Sequence, residues 1–229
     1  EADALRQRDQ AHLDESGIFA FAEVVVVPEL ESGFMSVAQA HGIGGVDSNM
    51  IAFGWPGDDP AALAPILLRV RHLAQLDKST IITRPVRGSR TKGSGELLVW
   101  WGGLEQNGDM MLLLAHLLSM HDEWRSVHIT LASVVPDANA AKEFGDRVNK
   151  ALEFSRIRAA VEAVVKPDDK SLLETIHERS ADCDLVFVGL PLVEPGDELA
   201  AAIRLQALVQ GMPSTVLLRS AGPFRGMLV

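Results

Sequence analysis

The sequence contains an internal duplication, which restricts the possible folds more than any other feature. The segment SNMIAFGWP at 48–56 resembles CDLVFVGLP at 183–191, and STIITR at 79–84 resembles STVLLR at 214–219, each at an offset of 135 residues. Upstream, AEVVVVP at 22–28 resembles VEAVVKP at 161–167 at an offset of 139. Three ordered matches with one short insertion indicate two copies of one structural unit.

The second copy contains more than the first. At the upstream offset, residue 140 is equivalent to residue 1, so the strand, helix and strand predicted within 96–135 have no counterpart in this sequence. We therefore expect an equivalent strand-helix-strand unit upstream in a longer parent chain, which would give five strands in each half. The sequence also starts without Met and inside a helical pattern at 1–15, as a piece of a longer protein would.

Short runs of Val, Ile and Leu alternate with longer helical patterns. The predicted strands are Phe19–Val27, Met50–Phe53, Thr80–Thr83, Glu96–Trp101, Val127–Val135, Ala159–Val165, Leu185–Val188 and Thr215–Leu218. The predicted helices are 3–15, 32–41, 60–76, 109–121, 138–154, 170–180 and 197–210. Several strands are apolar at consecutive positions, which is typical of parallel strands buried on both faces. The sequence thus predicts an α/β fold with a layered, mostly parallel sheet flanked by helices.

A basic segment separates the two copies. RPVRGSRTKGSG at 84–95 is rich in Gly and Ser and contains no acid. We interpret it as a solvated tether, with contact to anionic lipid headgroups as the alternative. The predicted organisation is a first α/β half at 1–84, a linker at 85–95 and a second α/β half at 96–229.

Composition excludes several classes of protein. The net charge of −10 argues against a nucleic-acid partner, because phosphate binding needs an excess of Lys and Arg. The single cysteine, Cys183, rules out an internal disulfide and is typical of a reducing, cytosolic setting. No apolar run reaches the roughly 18 residues that span a bilayer, while 47% apolar residues allow a substantial core.

The turns after two strands are themselves repeated. Gly54 and Pro56 recur as Gly189 and Pro191, so we assign them to the turn between a buried strand and the next helix. Trp55 is replaced by Leu190 in the second copy, which indicates a need for apolar bulk rather than for an indole. A further role of Trp55 in a contact between subunits, or with a membrane domain, stays open.

Two glycine-rich loops resemble ligand sites only in part. Gly42-Ile-Gly-Gly45 follows a helix and precedes a strand, whereas a dinucleotide fingerprint requires the reverse order. We interpret it as a helix end and a turn. WGGLEQNGD at 101–109 lies where an anion can meet helix amide groups. It lacks a P-loop Lys and contains Glu105 and Asp109, so a structural turn is the preferred interpretation.

Patterns for catalysis and metal binding are weak. His116 and His121 are five residues apart on a predicted helix and so lie on different faces, whereas helical metal pairs prefer a spacing of four. Cys183 precedes a buried strand without a CxxC partner, which predicts a packing role. Gly93-Ser94-Gly95 precedes a strand and therefore differs from a nucleophile elbow. We expect no enzyme activity, no cofactor and no metal site.

A set of motifs resembles one protein family. The motifs are LVWW at 98–101, DMMLLLAHLL at 109–118, HDEWR at 121–125, GIGG at 42–45 with Asn49 and FGWP at 53–56, DLVFVGLP at 184–191 and TVLLR at 215–219. Together they resemble the cytoplasmic C-terminal domain of the cation–chloride cotransporters, and they extend over nearly the whole chain.

The resemblance implies two duplicated halves related to universal stress proteins. It implies a regulatory and dimerisation domain at the cytoplasmic face of the cell membrane, with the protein's own transmembrane transport domain as partner and a homodimer as assembly. The motif residues, to which we assign structural roles, are Gly44, Gly45, Asn49, Gly54, Trp55, Pro56, Trp100, Trp101, Trp124, Arg125, Gly189 and Pro191. The long Ser/Thr-rich insertions and the terminal Tyr-Ser of animal members are missing, which indicates a prokaryotic member without that phosphoregulation.

The alternative is a free-standing nucleotide-binding protein of the universal stress type. Such a protein would use the carboxyl ends of its strands, where open α/β sheets bind ligands. The segment GLPLVEPGD at 189–197 is acidic where that family has a glycine-rich loop. Nucleotide binding through this loop is therefore not expected.

Overall fold

The computed structural model describes residues 1–40, 42–43, 46–88, 95–102 and 106–225. It divides the chain into two compact units, Glu1–Ser48 and Asn49–Val229. The boundary between the units lies inside the first predicted half, and most of the basic segment falls outside the described residues. The predicted halves follow the sequence repeats, whereas the two compact units follow the packing of the chain. The division into halves therefore stays a prediction.

The first unit consists of two helices and a short ladder. Its elements are α1 (Ala2–Glu15), α2 (Leu30–Ala40), β1 (Gly42–Ile43) and β2 (Val46–Asp47), the last two paired antiparallel. Both helices predicted in this part of the chain are confirmed.

The predicted strand Phe19–Val27 is wrong, because the structure has no strand there. Phe19 is 96% exposed and Phe21 is 70% exposed, so these side chains do not pack in a core. In the second copy the equivalent strand pairs with the strand of 128–135, whereas the first copy has the helix Ala2–Glu15 before 19–27 and no strand of that kind among the described residues. A strand needs a neighbouring strand to which its backbone can hydrogen-bond, and within the described residues this segment has no such neighbour.

The second unit is built around one sheet. Its strands are β3 (Met50–Gly54), β4 (Ser79–Arg84), β5 (Glu96–Trp100), β6 (His128–Val135), β7 (Ala160–Val165), β8 (Leu185–Gly189) and β9 (Thr215–Arg219). Their order in the sheet is β3-β4-β9-β8-β5-β6-β7, and neighbours are parallel except for β4 and β9. The predicted fold class, a layered α/β fold with a mostly parallel sheet, is confirmed.

Helices cover both faces of this sheet. They are α3 (Pro60–Gln75), α4 (Gly108–Ser119), α5 (Ala138–Ser155), α6 (Leu172–Ser180) and α7 (Glu198–Val209), with 3-10 turns at Asp122–Trp124 and Gly222–Phe224. The predicted helix starts are supported by their caps. Asp59 accepts a hydrogen bond from the Ala61 amide at 2.9 Å, with Pro60 in the first turn, and Asp137 accepts one from Ala140 at 2.9 Å.

Alternating side chains of each central strand enter two different cores. Leu98 and Trp100 of β5 belong to the core under α3, α6 and α7, whereas Leu97 and Val99 belong to the core under α4 and α5. All five residues of β5 are buried. This is the double-sided burial that the consecutive apolar residues predicted.

The two copies meet at the antiparallel β4–β9 pair. Ile82 lies opposite Leu217, and these two residues are also repeat equivalents at the offset of 135. A local two-fold axis therefore passes through this pair. The equivalent helices α3 and α7 pack against each other on one face, and Arg71 contacts Glu198 at 2.7 Å. The structure thus supports the duplication inferred from the sequence.

Candidate functional site

A cleft of about 390 Å³ opens at the carboxyl ends of β5 and β8. Within the sheet, β6 and β7 lie on one side of β5, whereas β8 and β9 lie on its other side. The direction of winding therefore reverses between β5 and β8, and open α/β sheets bind their ligands at such a switch point. The topology makes this cleft the first candidate for a binding site.

Two tryptophans at the end of β5 form much of the cleft wall. Trp100 and Trp101 are each 7% exposed, and they belong to the cores on opposite faces of the sheet. The indole nitrogen of Trp100 donates a hydrogen bond to Ser180 Oγ at 3.0 Å. A Cβ on Gly108 would lie 2.7 Å from ring atoms of Trp101, so α4 can begin this close to the indole only with glycine.

Asn107 joins three elements at the base of the cleft. Its amide nitrogen donates to the Leu190 carbonyl at 3.2 Å, and its carbonyl oxygen accepts from the Ser220 amide at 2.8 Å. The residue is 3% exposed. A Cβ on Gly189 would lie 3.1 Å from Asn107 Nδ2, so the glycine gives the amide room. Asn107 therefore fixes the start of α4 against the ends of β8 and β9.

The chemistry of the cleft is mainly apolar. Asn107 and Ser133 supply polar side-chain groups, and no charged side chain is found among the described lining residues. A phosphate group is usually held by basic side chains or by a cradle of amides. Asp109 is buried in the first turn of α4, where a carboxylate is favourable for the helix but repels an anion. The described wall suits an uncharged or apolar group better than a phosphate.

The predicted motif residues separate into several places. Trp100, Trp101, Gly189 and Pro191 come together in the cleft. Gly54, Trp55 and Pro56 lie instead at the end of β3, where the Trp55 amide donates to the Thr83 carbonyl at 2.8 Å. Asn49 precedes β3, and its carbonyl accepts from the Ser79 amide at 2.9 Å. Gly44 and Gly45 lie outside the described residues.

Trp124 and Arg125 lie at the other end of the sheet. Trp124 ends the 3-10 turn that follows α4, and it packs against the core under α4 and α5. His121 caps this turn by accepting from the Glu123 amide at 3.3 Å. Arg125 is exposed and contacts Asp122 at 2.5 Å. These residues are not among those that line the cleft.

Trp55 is half-buried beside a cavity of about 200 Å³, which Arg84 and Gln206 also line. Its indole nitrogen is buried and has no hydrogen-bond partner within the described part of the chain. Its ring packs against the core under α3, α6 and α7. This placement agrees with the prediction that the position needs apolar bulk, and it leaves the question of a contact with a partner open.

A partly buried ionic cluster lies at the amino-terminal ends of β5 and β8, with Glu96 and Cys183 buried and Arg179 and Glu162 half-buried. Arg179 contacts Glu96 Oε1 at 2.6 Å and Glu162 Oε2 at 2.8 Å. The thiol of Cys183 donates to Glu96 Oε2 at 3.3 Å. The cluster connects β5, β7 and α6, and it lies away from the cleft.

The ionisation of this cluster suits a structural role. Burial alone raises the pKa of Glu96, but hydrogen bonds from Arg179, Thr130 and Cys183 outweigh burial and lower that pKa to about 2. The bonds to Glu96 and then Glu162 raise the pKa of Arg179. Burial, followed by the nearby Glu96 charge, raises the pKa of the Cys183 thiol to about 12. The thiol therefore stays protonated near neutral pH and is a poor nucleophile.

Within the described ranges, no group of three or more His, Cys, Asp and Glu side chains is arranged to hold a metal ion. Likewise, none of the helices in the described part of the chain is long and apolar enough to cross a bilayer.

Asn107, Gly108 and Ser133 are among the lining residues that the sequence does not identify individually as candidates. Their types are common in turns and strands, and only the sheet order brings them beside Trp100 and Trp101. The sequence carries one related signal, because 101–109 lies between a strand and a helix, where an anion can meet helix amide groups, although a structural turn is the preferred interpretation there.

No family model matches the sequence. The fold is similar to the crystal structure of the cytoplasmic domain of a prokaryotic cation chloride cotransporter, with a TM-score of 0.65 and 14% identity, over 94% of this chain and 79% of that chain. It is also similar to a universal stress protein from Archaeoglobus fulgidus, with a TM-score of 0.57 and 12% identity, over 96% of this chain and 76% of that one. At these identities the similarity shows the fold, which is the α/β fold shared by both proteins.

Proposed function

We propose that this chain is a non-catalytic, cytosolic regulatory and dimerisation domain of a secondary-active cation–chloride symporter. One agreement between two observations supports the proposal. The solved structure with a TM-score of 0.65 is the cytoplasmic domain of a cotransporter, and it belongs to the family that the sequence motifs resemble. In this proposal the transported ions pass through the membrane domain, and no residue of this chain coordinates them.

The cleft supports a non-enzymatic role. Among its described lining residues, Ser133 carries the one hydroxyl, and no acid or base lies beside it. Activation of a serine requires a neighbouring base within hydrogen-bond reach. The two tryptophans and Asn107 hold elements together, and we assign them to the rigidity of the domain.

The complete gene product provides the direct test. Expressed in its own host, it should fractionate with membranes and, in proteoliposomes, support rubidium uptake that depends on chloride. Deletion of this domain from the complete protein should change the uptake rate without creating or removing ion selectivity. A gene product that stays out of the membrane and carries no ions contradicts the proposal.

The dimerisation part of the proposal has its own measurement. Sedimentation of the isolated chain over a range of concentrations should show a species of twice its mass of 24.7 kDa. A strictly monomeric chain at every concentration, together with a monomeric complete protein, would remove dimerisation from the proposed role.

The second candidate is a nucleotide-binding protein of the universal stress type. The position of the cleft at the switch point favours it, as does the similarity to the Archaeoglobus fulgidus protein. Thermal unfolding with ATP, ADP or AMP separates the two candidates, because a ligand at 100 times its Kd stabilises by about 2.7 kcal/mol. A shift that is lost in Ser133→Leu, which places a larger side chain in the cleft, favours the second candidate. No shift with any of the three supports the first.

A further inference from the structure

A second concave surface lies at the amino-terminal ends of the strands, whereas the cleft lies at their carboxyl ends. It has a volume of about 1090 Å³ and lies between the start of β6, the start of β7 and the carboxyl ends of α4 and α5. We call it the basal groove and define it by His116, Arg125, His128, Glu153, Arg156 and Arg158. Arg125 is a motif residue that neither the cleft nor the core explains.

The basal groove is basic in an acidic chain. Three arginines and two histidines line it against one carboxylate, that of Glu153, whereas the whole chain has a net charge of −10. Two further acids adjoin it: Asp122 pairs with Arg125 at 2.5 Å, and Glu96 lies 3.8 Å from His128. Glu96 is already bound by Arg179. With the histidines counted as neutral, as in the net charge of the chain, the three arginines exceed the carboxylates of Glu153 and Asp122 by one positive charge.

Helix dipoles explain only part of this charge. His116 lies in the last turn of α4 and Arg156 caps α5, where cations are favourable at helix carboxyl ends. Arg125, His128 and Arg158 lie outside these helices. Their convergence on one surface is not required by any helix end.

The backbone of Arg156 has a strained conformation. Its φ is 58°, in the left-handed region, at the residue that ends α5. Glycine is the favoured residue at this position of a helix end, and other residues are strained there. Arginine at this position supplies the groove with a guanidinium group that glycine would not.

The floor of the basal groove is apolar. Ile129 and Ile157 are buried beneath it, and Val127 and Leu152 line it half-buried. Small-molecule sites usually have volumes of about 300–1,000 Å³, so this open groove is large for a single small ligand. Guanidinium groups bind carboxylates through paired hydrogen bonds.

We propose that the basal groove binds an acidic peptide segment with interspersed apolar side chains. Its carboxylates contact Arg125, Arg156 and Arg158, and its apolar side chains pack on the half-buried Val127 and Leu152. The concave shape and the apolar floor favour a peptide over a flat lipid surface, which cannot enter a groove. This proposal is independent of the transporter role and of the cleft.

The test uses the whole chain and a fluorescein-labelled set of short peptides in which Glu alternates with Leu or Val. Fluorescence polarisation should show binding that weakens with added salt, while matching peptides with Lys in place of Glu should not bind. Amide shifts in NMR spectra should be confined to 125–129 and 156–160. Arg158→Gln should weaken binding by about two- to fivefold, as expected for one exposed charge pair.

Arg156→Gly separates binding from folding. This change should weaken peptide binding while raising the unfolding midpoint, because it relieves the left-handed backbone. Asp77→Gly, at the other left-handed helix end, should raise the midpoint without changing binding. Arg204→Gln, on the exposed face of α7, should change neither.

Three results would overturn the proposal. One is an absence of binding across the whole Glu peptide set, and another is binding that Arg156→Gly and Arg158→Gln leave unchanged. The third is that vesicles of phosphatidylserine, but not the peptides, bind the chain and lose binding in both variants, which would assign the groove to lipid headgroups.

Discussion

At the residue scale, the cleft depends on a few side chains whose roles come from their neighbours rather than from their type. Asn107 is an ordinary residue in the sequence, yet it satisfies the Leu190 carbonyl and the Ser220 amide together. Trp100 and Trp101 were identified from the sequence, but the motif could not show that they enter different cores. Successive side chains of a strand point to opposite faces of the sheet, so the core that each tryptophan enters is known only once the sheet is known.

Replacing Asn107 by Ala should destabilise the chain strongly. The change leaves the Leu190 carbonyl and the Ser220 amide without their partner at a buried site, so we expect a loss of about 2–4 kcal/mol in the free energy of unfolding. Urea unfolding followed by circular dichroism measures this loss. A loss below about 0.5 kcal/mol, typical of surface positions, would show that Asn107 does not hold the strand ends together.

Two tryptophans offer a matched comparison. The indole nitrogen of Trp100 donates to Ser180, whereas that of Trp55 has no partner in the described structure. Trp100→Phe should therefore cost about 1–3 kcal/mol, since the buried Ser180 hydroxyl loses its donor, while Trp55→Phe should be neutral or stabilise by about 1 kcal/mol. Both variants lose the same ring atoms, but Trp100 is buried and Trp55 is half-buried. Lost packing therefore adds to the cost of Trp100→Phe, and the difference between their urea midpoints sets an upper limit on the contribution of the Trp100 N–H group. Equal losses in the two variants contradict this assignment.

At the element scale, local signals predicted all the helices and the buried strands of the second unit. Caps such as Asp59 and Asp137 lie next to the helices they start, and consecutive apolar residues mark β5 and β8. The failure at Phe19–Val27 has a different origin, because strand pairing depends on a neighbour distant in sequence. Likewise, the contact of Glu96 with Arg179 joins β5 to α6 across more than eighty residues and has no local signature.

The ionic cluster makes the attachment of α6 to β5 depend on pH. Glu96 has a folded-state pKa of about 2, below its ordinary value of 4.5, so its contribution is present above pH 4.5 and is lost as the pH falls towards 2. The shift corresponds to at most about 3 kcal/mol. Glu96→Gln should therefore be less stable than the parent near neutral pH.

The stability difference between parent and Glu96→Gln should close as the pH is lowered from 4.5 towards 2, because the parent carboxyl then becomes neutral as well. Urea midpoints at a series of pH values measure the difference. A difference that is constant across this range would show that charge on Glu96 is not what stabilises the cluster. Glu178→Gln, which removes an exposed acid of α6 that pairs with Lys170 just before that helix, is the control and should show little effect.

At the scale of the whole molecule, the duplication predicted two related halves, and the sheet shows how they join. The last strand of each copy pairs with the other, centred on Ile82 and Leu217. The sequence indicated the copies but could not indicate their pairing, since nothing in a repeat states which edges meet. The function of the cleft is equally invisible in the sequence, because its walls come from four distant segments.

A fragment that starts at Glu96 should associate with itself. It keeps the strands β5 to β9 but exposes the edge of β9 and the face of α7 that α3 covers in the whole chain. An unpaired edge beside an apolar face favours pairing with another copy. Sedimentation should show a dimer, and hydrogen exchange at the β9 amides should slow as concentration rises. A fragment that stays monomeric with unprotected β9 amides would show that this edge needs no partner.

The β4–β9 junction also has a consequence for symmetry. Between two identical chains, every contact across a two-fold axis occurs twice and every substitution is copied to both sides. Here both sides belong to one polypeptide, so each side can change alone. Arg71 and Glu198 form an ion pair across the axis, while the equivalent positions are Gln206 and Leu63, which cannot form one. Because both copies belong to one polypeptide, the two sides of the β4–β9 junction can differ chemically. Such a surface can bind a single asymmetric partner in one orientation.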